Sequence, residues 1–425
     1  MKTLPEEKMF PLASSFPCPT PPLAAPYEDP TLLDAVFRSA GRRTVIVVSL
    51  DAVKHNIAAL KALVSPTTEV MAVVKGGAYG SGVMGVVGAV LEAGATELAV
   101  ATVSEGVFLR TQGVAVPIAV LGNLNPEELP DVLTYRLHPT VGWARAFQQS
   151  EPISLKYHDG SPLEVHVEID TGMSRFGVQP QDLAELMTTL DQRGIKVRSL
   201  YTHFQSAITE RDLNKRQYDS FIEATKAFPG IRRHAAATTG CVQGLGGELD
   251  FIRPGGAVTG LCSGSSEADV KAFAELGFQP SFSLVARPSF YKLLEPCRGV
   301  GYDSTYTSSS HEWIANFNTG WSDGLARKLS NCGHVLRIKT GELCPIVGRV
   351  SMDSMTVRVP EEPGAEETFV IITPDFHPLT SAVGVARSLG AAVYEVPGNW
   401  GSRLPRVTVE GGKVKQVYRS LEYTN

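Results

Sequence analysis

Lys75 is the residue of this chain best placed to act as a nucleophilic amine. It closes an apolar, β-type run, Glu69-Val-Met-Ala-Val-Val-Lys75, and opens a glycine-rich segment, Gly76-Gly-Ala-Tyr-Gly-Ser-Gly82. Parallel α/β folds gather their chemistry at the carboxyl ends of strands. Burial there disfavours an ammonium and frees the amine to attack a carbonyl. Tyr79 and the glycines around it suit a bound phosphate, so the segment points to a Schiff-base lysine carrying pyridoxal 5'-phosphate (PLP). Taken alone, Lys75 reads better as a solvated loop lysine, and the rest of the chain must decide.

Further polar residues follow other apolar runs. Arg175 lies in Glu168-Ile-Asp-Thr-Gly-Met-Ser-Arg-Phe-Gly177, and His203 closes Tyr201-Thr-His-Phe204. Thr238 ends a run that starts at Arg232, and Arg253 with Gly255-Gly256 ends another. Each has an ordinary reading. His203 could be a satisfied barrel histidine, Arg175 could pair with Asp170 or Glu168 across its own turn, and Gly255-Gly256 could be a plain turn. Those readings weaken together, because all of these positions fall on one edge of the same predicted sheet.

The elements that would position them alternate. Strand-like runs fall at 69–74, 97–102, 116–121, 136–141, 163–169, 197–204, 232–237 and 250–255. Helix-like stretches at 50–64, 83–93, 179–192 and 214–228 lie between them. In the last two, apolar residues recur at steps of three and four, the spacing of one helix face. Eight strand–helix repeats predict a parallel, closed (β/α)8 TIM-type barrel. An open doubly wound sheet would carry a nucleotide fingerprint after its first strand, and Gly-x-x-Gly-x-Gly has the wrong order for it. From about residue 280, runs at 282–288, 334–339, 343–349, 355–360, 368–373 and 406–409 predict a mostly-β domain. The run 44–48 reads as a strand that pairs with that domain. The expected division is 1–40, a mobile or surface-draped extension rich in Pro, Ser and Ala; 41–284, the barrel; and 285–425, the β domain.

Bulk properties set the class. A chain of 425 residues exceeds one ordinary core. A formal charge of −5 without a basic run argues against a nucleic-acid partner. The six cysteines are scattered with no C-x-x-C pair, so neither a metal site nor a disulfide framework is expected, and a reducing, cytoplasmic location is. The apolar run near 86–103 is broken by Glu92 and Glu97, so no membrane span is expected. The N-terminus lacks an apolar core of the signal-peptide kind.

With these residues in place, the chain resembles the alanine racemase family of PLP enzymes over roughly residues 40–425. The strings AVVKGGAYGSG, EIDTGMSRFG, YTHF, HAAATTG, FIRPGG, VGYDSTY, GWSDGLARKLSN, GRVSMD and AVYEVP carry the resemblance by their order and spacing. It implies a (β/α)8 barrel followed by a β domain, and interconversion of L- and D-amino acids by two bases. Lys75 would hold PLP and serve as one base. Tyr302 would be the other, reaching the site from the neighbouring subunit of a homodimer with Met352 and Asp353. Tyr79 and Tyr394 would bind the phosphate with Thr238, Gly255 and Gly256. Arg253 would face the pyridine nitrogen, Arg175 the phenolic oxygen and the substrate carboxylate, and His203 would support Tyr302.

The pattern departs near the chemistry. Glu168 stands where the family usually has a lysine, often carbamylated, whose negative charge holds the arginine at Arg175. Gly77 and Ser81 replace an asparagine and a histidine, Ala237 replaces an asparagine, and Trp321 puts an indole at the substrate mouth. These changes keep alternatives open: a racemase specialised for a non-alanine amino acid, a decarboxylase or aldolase on the same architecture, a PLP-carrying barrel that is not an enzyme, or an inactive homologue. Arg253 speaks against the decarboxylases, which place an acidic group at the ring nitrogen. The β domain and Tyr302 speak against the cofactor carrier.

Overall fold

The alternation of β-branched runs with amphipathic helices folds as its periodicity demands. The computed structural model describes residues 29–143, 147, 155–206 and 208–419. Strand β1 (Thr44–Ser49) precedes a closed parallel barrel of β2 (Glu69–Val73), β3 (Glu97–Val100), β4 (Ile118–Asn123), β5 (His138–Val141), β6 (Glu164–Glu168), β7 (Lys196–Tyr201), β8 (Arg232–Ala237) and β9 (Phe251–Arg253). Glu69 of β2 lies opposite Phe251 of β9, which closes the ring. All eight expected strands are present, with ends shifted by a few residues. Helices Leu50–Ala62, Val83–Glu92, Leu183–Gln192 and Arg211–Thr225 answer the four expected ones.

The barrel interior is divided by chemistry. Met71, Val73, Ala99, Ala119 and Phe251 form its apolar part. Across from them, buried polar residues share the strands of the other half: His138 and Thr140, His166 and Glu168, Ser199, and His234. His166 and Glu168 are two residues apart on β6, so the pleat turns both to one face. Polar groups at that depth must find partners, and most of these do.

The second domain is mostly β, as expected. Its seven-stranded sheet contains β1 between β10 (Phe282–Ala286) and strand Arg406–Glu410, and a three-stranded sheet joins Phe290–Leu294, Glu312–Phe317 and Met355–Val359. All six residues of β1 are buried. A strand that precedes the barrel in sequence thus belongs to the sheet of the other domain.

The expected N-terminal extension lies mostly outside the described residues, at 1–28, but Pro30–Ala40 is a helix. Asp29 caps it by accepting from Thr31 N at 2.8 Å, Pro30 occupies the first turn, and Gly41 closes it with φ 65°. Its Leu32, Leu33, Val36, Phe37 and Ala40 are buried against Val45, Val47, Val407 and Val409 of the sheet.

Candidate active site

Lys75 sits two residues beyond the end of β2 and begins a left-handed turn. Gly76, Gly77, Ala78 and Tyr79 have φ of 60°, 62°, 54° and 56°. That conformation costs about 1–2 kcal/mol for each residue with a side chain, and the two glycines remove half of the burden. Glu105 anchors the turn: Oε1 accepts from Gly76 N at 2.6 Å, and Oε2 accepts from Ala101 N at 2.8 Å and Thr102 N at 3.2 Å. The turn brings Tyr79 against Tyr394 of the second domain, with ring centroids 5.2 Å apart.

The electrostatics of the mouth favour neutral bases. Burial lowers the Lys75 ammonium below its ordinary range, and the charge of Arg175 lowers it further. His203 falls to about 3, first through burial and then through Arg253, Arg175 and Lys75. It is therefore neutral at physiological pH. Burial pushes the Glu168 carboxyl up against the opposing pull of Arg253 and Arg175.

Arg253, 2% exposed, is tied down at the end of β9. Its Nη1 donates to Nδ1 of His234 at 2.6 Å, and its Nη2 donates to the carbonyl oxygens of Thr202 at 2.7 Å and Ala235 at 3.4 Å. The guanidinium lies 4.7 Å from the Tyr201 ring centroid. The Tyr201 hydroxyl donates in turn to Glu168 at 3.2 Å. Glu168 and Arg175 form no ion pair within 4.0 Å, so Glu168 does not reproduce the direct hold on this arginine that the resemblance implied.

The residues present fit a phosphorylated cofactor. A Cβ on Gly255 would collide with the Tyr79 hydroxyl, and one on Gly256 with the Tyr394 hydroxyl. Two phenols and two glycine backbones therefore converge on one small cradle. Burial keeps both phenols protonated, so they can donate to a phosphate. Thr238 orders the backbone there: its Oγ1 accepts from Gly255 N at 3.3 Å and Ala257 N at 3.1 Å. The amide of Gly255, which the resemblance assigned to the phosphate, is thus already engaged. Lys75 and His203 each feel the charge of Arg175, His203 also that of Arg253, and Tyr79, Tyr394, Thr238, Gly255 and Gly256 meet at the cradle.

Four other expected site residues gather elsewhere, on the second domain. Trp321 N donates to Ser351 O and Ser322 N to Met352 O, both at 3.0 Å. Arg403 bridges Asp353 at 2.7 Å and Asp323 at 3.1 Å. Tyr302 precedes Asp303, which pairs with Arg349 at 3.1 Å. Tyr302 is 70% exposed, Met352 48% and Trp321 43%. Among the described residues, no hydrogen bond or ring contact within the chain joins Tyr302 to Lys75 or His203.

Two residues of the mouth escaped the reading of the sequence. His234 stood in the HAAATTG string without a role, and Glu105 was unassigned. The signal for Glu105 was a Thr102-x-x-Glu105 capping box at the start of helix Val103–Thr111, which the structure contains.

A closed parallel barrel with a desolvated amine at its mouth, joined to a β domain that presents an exposed tyrosine, defines a two-domain barrel enzyme. Its relatives narrow the class. The family model described as alanine racemase, N-terminal domain, matches residues 48–263, and that described as alanine racemase, C-terminal domain, matches 281–408. Alanine racemase of Geobacillus kaustophilus is 32% identical over 385 residues, covering 89% of this chain and 98% of the relative. Alanine racemase 2 of Bacillus subtilis is 32% identical over 394 residues, covering 90% and 98%. The crystal structure of Bacillus anthracis alanine racemase with bound L-Ala-P superposes with a TM-score of 0.80 at 31% identity, covering 89% and 98%. The chain belongs to the alanine racemase family.

Proposed function

We propose that the chain interconverts the L and D forms of alanine, or of a closely related small amino acid, with PLP held on Lys75. The observation that carries this reading is the buried amine of Lys75, lowered by burial and by Arg175 beside a cradle of two phenols and two glycines. Bound there, PLP would acidify the α-hydrogen of an attached amino acid.

The protein's own groups then have distinct tasks. Lys75, as a neutral amine, accepts a proton from one face of the substrate carbon and can return it there. Tyr79, Tyr394 and Thr238 hold the phosphate end. Arg253 keeps its proton, because a guanidinium does not deprotonate in proteins, so it can only donate to a ring nitrogen. That limits electron withdrawal by the ring and favours proton exchange over other outcomes. Arg175 supplies positive charge for a carboxylate. Tyr302 serves the opposite face from a second copy of the chain, which its 70% exposure supports. His203 is neutral, so it acts on Tyr302 as a hydrogen-bond partner rather than as a cation.

The cytosol remains the proposed compartment, on five unpaired cysteines among the described residues. None of the described helices is long and apolar enough to cross a membrane.

The test is a chiral assay of the purified protein with both enantiomers of alanine and a panel of other amino acids. Conversion of alanine in both directions, lost in Tyr302→Phe while the visible cofactor band remains, is the expected result. Turnover restricted to a bulkier amino acid would move the substrate, and cofactor binding without any racemisation would remove the function.

A further inference from the structure

Behind Arg253 lies a chain of buried hydrogen bonds that the reaction as described does not use. Arg253 Nη1 meets His234 Nδ1, His234 Nε2 meets Ser199 Oγ, and Ser199 Oγ meets His166 Nδ1, each at 2.6 Å. All four residues are at most 2% exposed. The chain runs from the mouth into the middle of the barrel.

Its polarity is fixed by elementary chemistry. Arginine can only donate, so His234 Nδ1 must accept and cannot carry a proton. A neutral imidazole then has its proton on Nε2, which donates to Ser199 Oγ. Among the described residues, the hydrogen-bond partners of the serine oxygen are the two histidines. Its own proton must therefore go to His166 Nδ1, or stand buried and unsatisfied at a cost of about 1–3 kcal/mol. His166 is then also an Nε2–H imidazole, although its Nε2 has no partner among the described residues; the other tautomer leaves that nitrogen unpartnered as well and strands the serine proton in addition. Protonating either ring would break the order. Burial opposes it, and so do Arg253, His166 and Arg232 facing His234, and His138, Arg198, Arg253 and Arg232 facing His166. Tyr201 stacks on His234 at 5.0 Å with an interplanar angle of 9°, which holds the ring plane.

We propose that His234, Ser199 and His166 are positioning residues for Arg253, a one-way hydrogen-bond chain that locks His234 as the Nε2–H tautomer. The inference deepens the racemase reading and rests on it only for the use made of the guanidinium. With one Nη1–H and both Nη2–H groups committed to His234, Thr202 and Ala235, the remaining Nη1–H and the Nε–H are the donors left for a ring nitrogen. Loss of the serine hydroxyl strands the Nε2–H of His234. Turning to the other tautomer would point an N–H at the arginine and release it.

The test is made on the full chain labelled with 15N-histidine, with and without PLP. Long-range 1H–15N spectra should show His234 and His166 both as neutral Nε2–H tautomers, unchanged from about pH 5 to about pH 8. Ser199→Ala should change the His234 pattern and lower kcat by about tenfold with little change in KM. An Nδ1–H tautomer or ordinary titration at either ring overturns the proposal. So does Ser199→Ala with an unaltered His234 and full kcat. Should that variant fail to fold, the wild-type spectrum decides alone. A chain that binds no PLP would remove the racemase reading, and the tautomers would still be read.

Discussion

The hydroxyl of Tyr201 donates to Oε2 of Glu168 at 3.2 Å, inside a barrel where both residues are at most 3% exposed. Glu168 stands where a lysine would be expected, and its carboxylate faces two guanidinium groups, Arg253 and Arg175, through space rather than by contact. Glu168→Gln keeps an oxygen for Tyr201 and removes the charge. The variant should lose about 1–2 kcal/mol of stability, since two cations then lack that counter-charge at low effective dielectric. Urea unfolding at neutral pH measures it, and an unchanged midpoint would show that Glu168 is already neutral in the fold.

The pH at which Lys75 reacts depends on Arg175. Burial lowers the ammonium first and Arg175 adds repulsion. Removing that cation stabilises the ammonium, so Arg175→Gln should raise the amine's pKa and leave less free amine at a given pH. The pH profile for PLP attachment to the cofactor-free protein should move to higher pH, read from the visible band. A profile that stays in place would assign the lowering to burial alone.

The cradle admits no side chain at position 255. A methyl on Gly255 would occupy the place of the Tyr79 hydroxyl. Gly255→Ala should cost about 1–3 kcal/mol of the energy holding the phosphate end, equivalent to at least about fivefold weaker PLP binding. Titration of the cofactor-free variant with PLP tests this, with Gly277→Ala as a control for the purification. Gly277 has open space around it, although its φ of 78° makes some strain there ordinary.

Much of this was legible in the sequence because it is local. Barrel strands announce themselves as short β-branched runs, and Lys75, Arg175, His203 and Arg253 stand at or just beyond strand ends where a barrel gathers function. The helix Pro30–Ala40 was also written locally, with Asp29-Pro30 at its start, a stripe from Leu32 to Ala40 and Gly41 at its end, but the Pro- and Ser-rich residues before it masked the pattern. What could not be read is long-range. The bond between His234 and Arg253 depends on how β8 meets β9, and the packing of Tyr79 on Tyr394 depends on how the two domains meet. A lone barrel histidine was the ordinary reading for His203, and nothing local in the sequence showed that His234 and His166 are joined through Ser199 inside the barrel.

The exposed apolar residues of the second domain carry a prediction about assembly. Phe290 is 58% exposed and Leu293 47%, on a strand of the same three-stranded sheet that holds Met355–Val359, and Tyr302, Met352 and Trp321 add to the exposed set. Phe290 and Leu293 are three residues apart on their strand, so the pleat turns them to opposite faces, and each leaves a large apolar side chain open to a neighbouring molecule. Sedimentation should show a dimer. Phe290→Glu with Leu293→Glu should shift it to monomer and abolish turnover while PLP stays bound, because Lys75 and its cradle lie within one chain. A fully active monomer would place the second base elsewhere.

Acid should unfold this protein through its buried histidines. His138 is held at about 3, first by burial and then by Arg198, with Glu164 opposing, and His203 also lies at about 3. An unfolded histidine titrates near 6.5, about three units above these. Between those limits the unfolded chain binds protons that the folded chain refuses. Stability is therefore full above about pH 6.5 and falls as pH drops toward 3, by about 1.4 kcal/mol per pH unit for each such group. His138 Nδ1 has no hydrogen-bond partner among the described residues, so it can be replaced without breaking a bond at that atom. His138→Asn should remove close to one proton from the slope of unfolding free energy against pH between about 4.5 and 6. Urea titrations across that range give the slope directly, and an unchanged slope would mean that His138 is protonated in the folded barrel, with Glu164, 3.9 Å from its Nε2, taking up the charge.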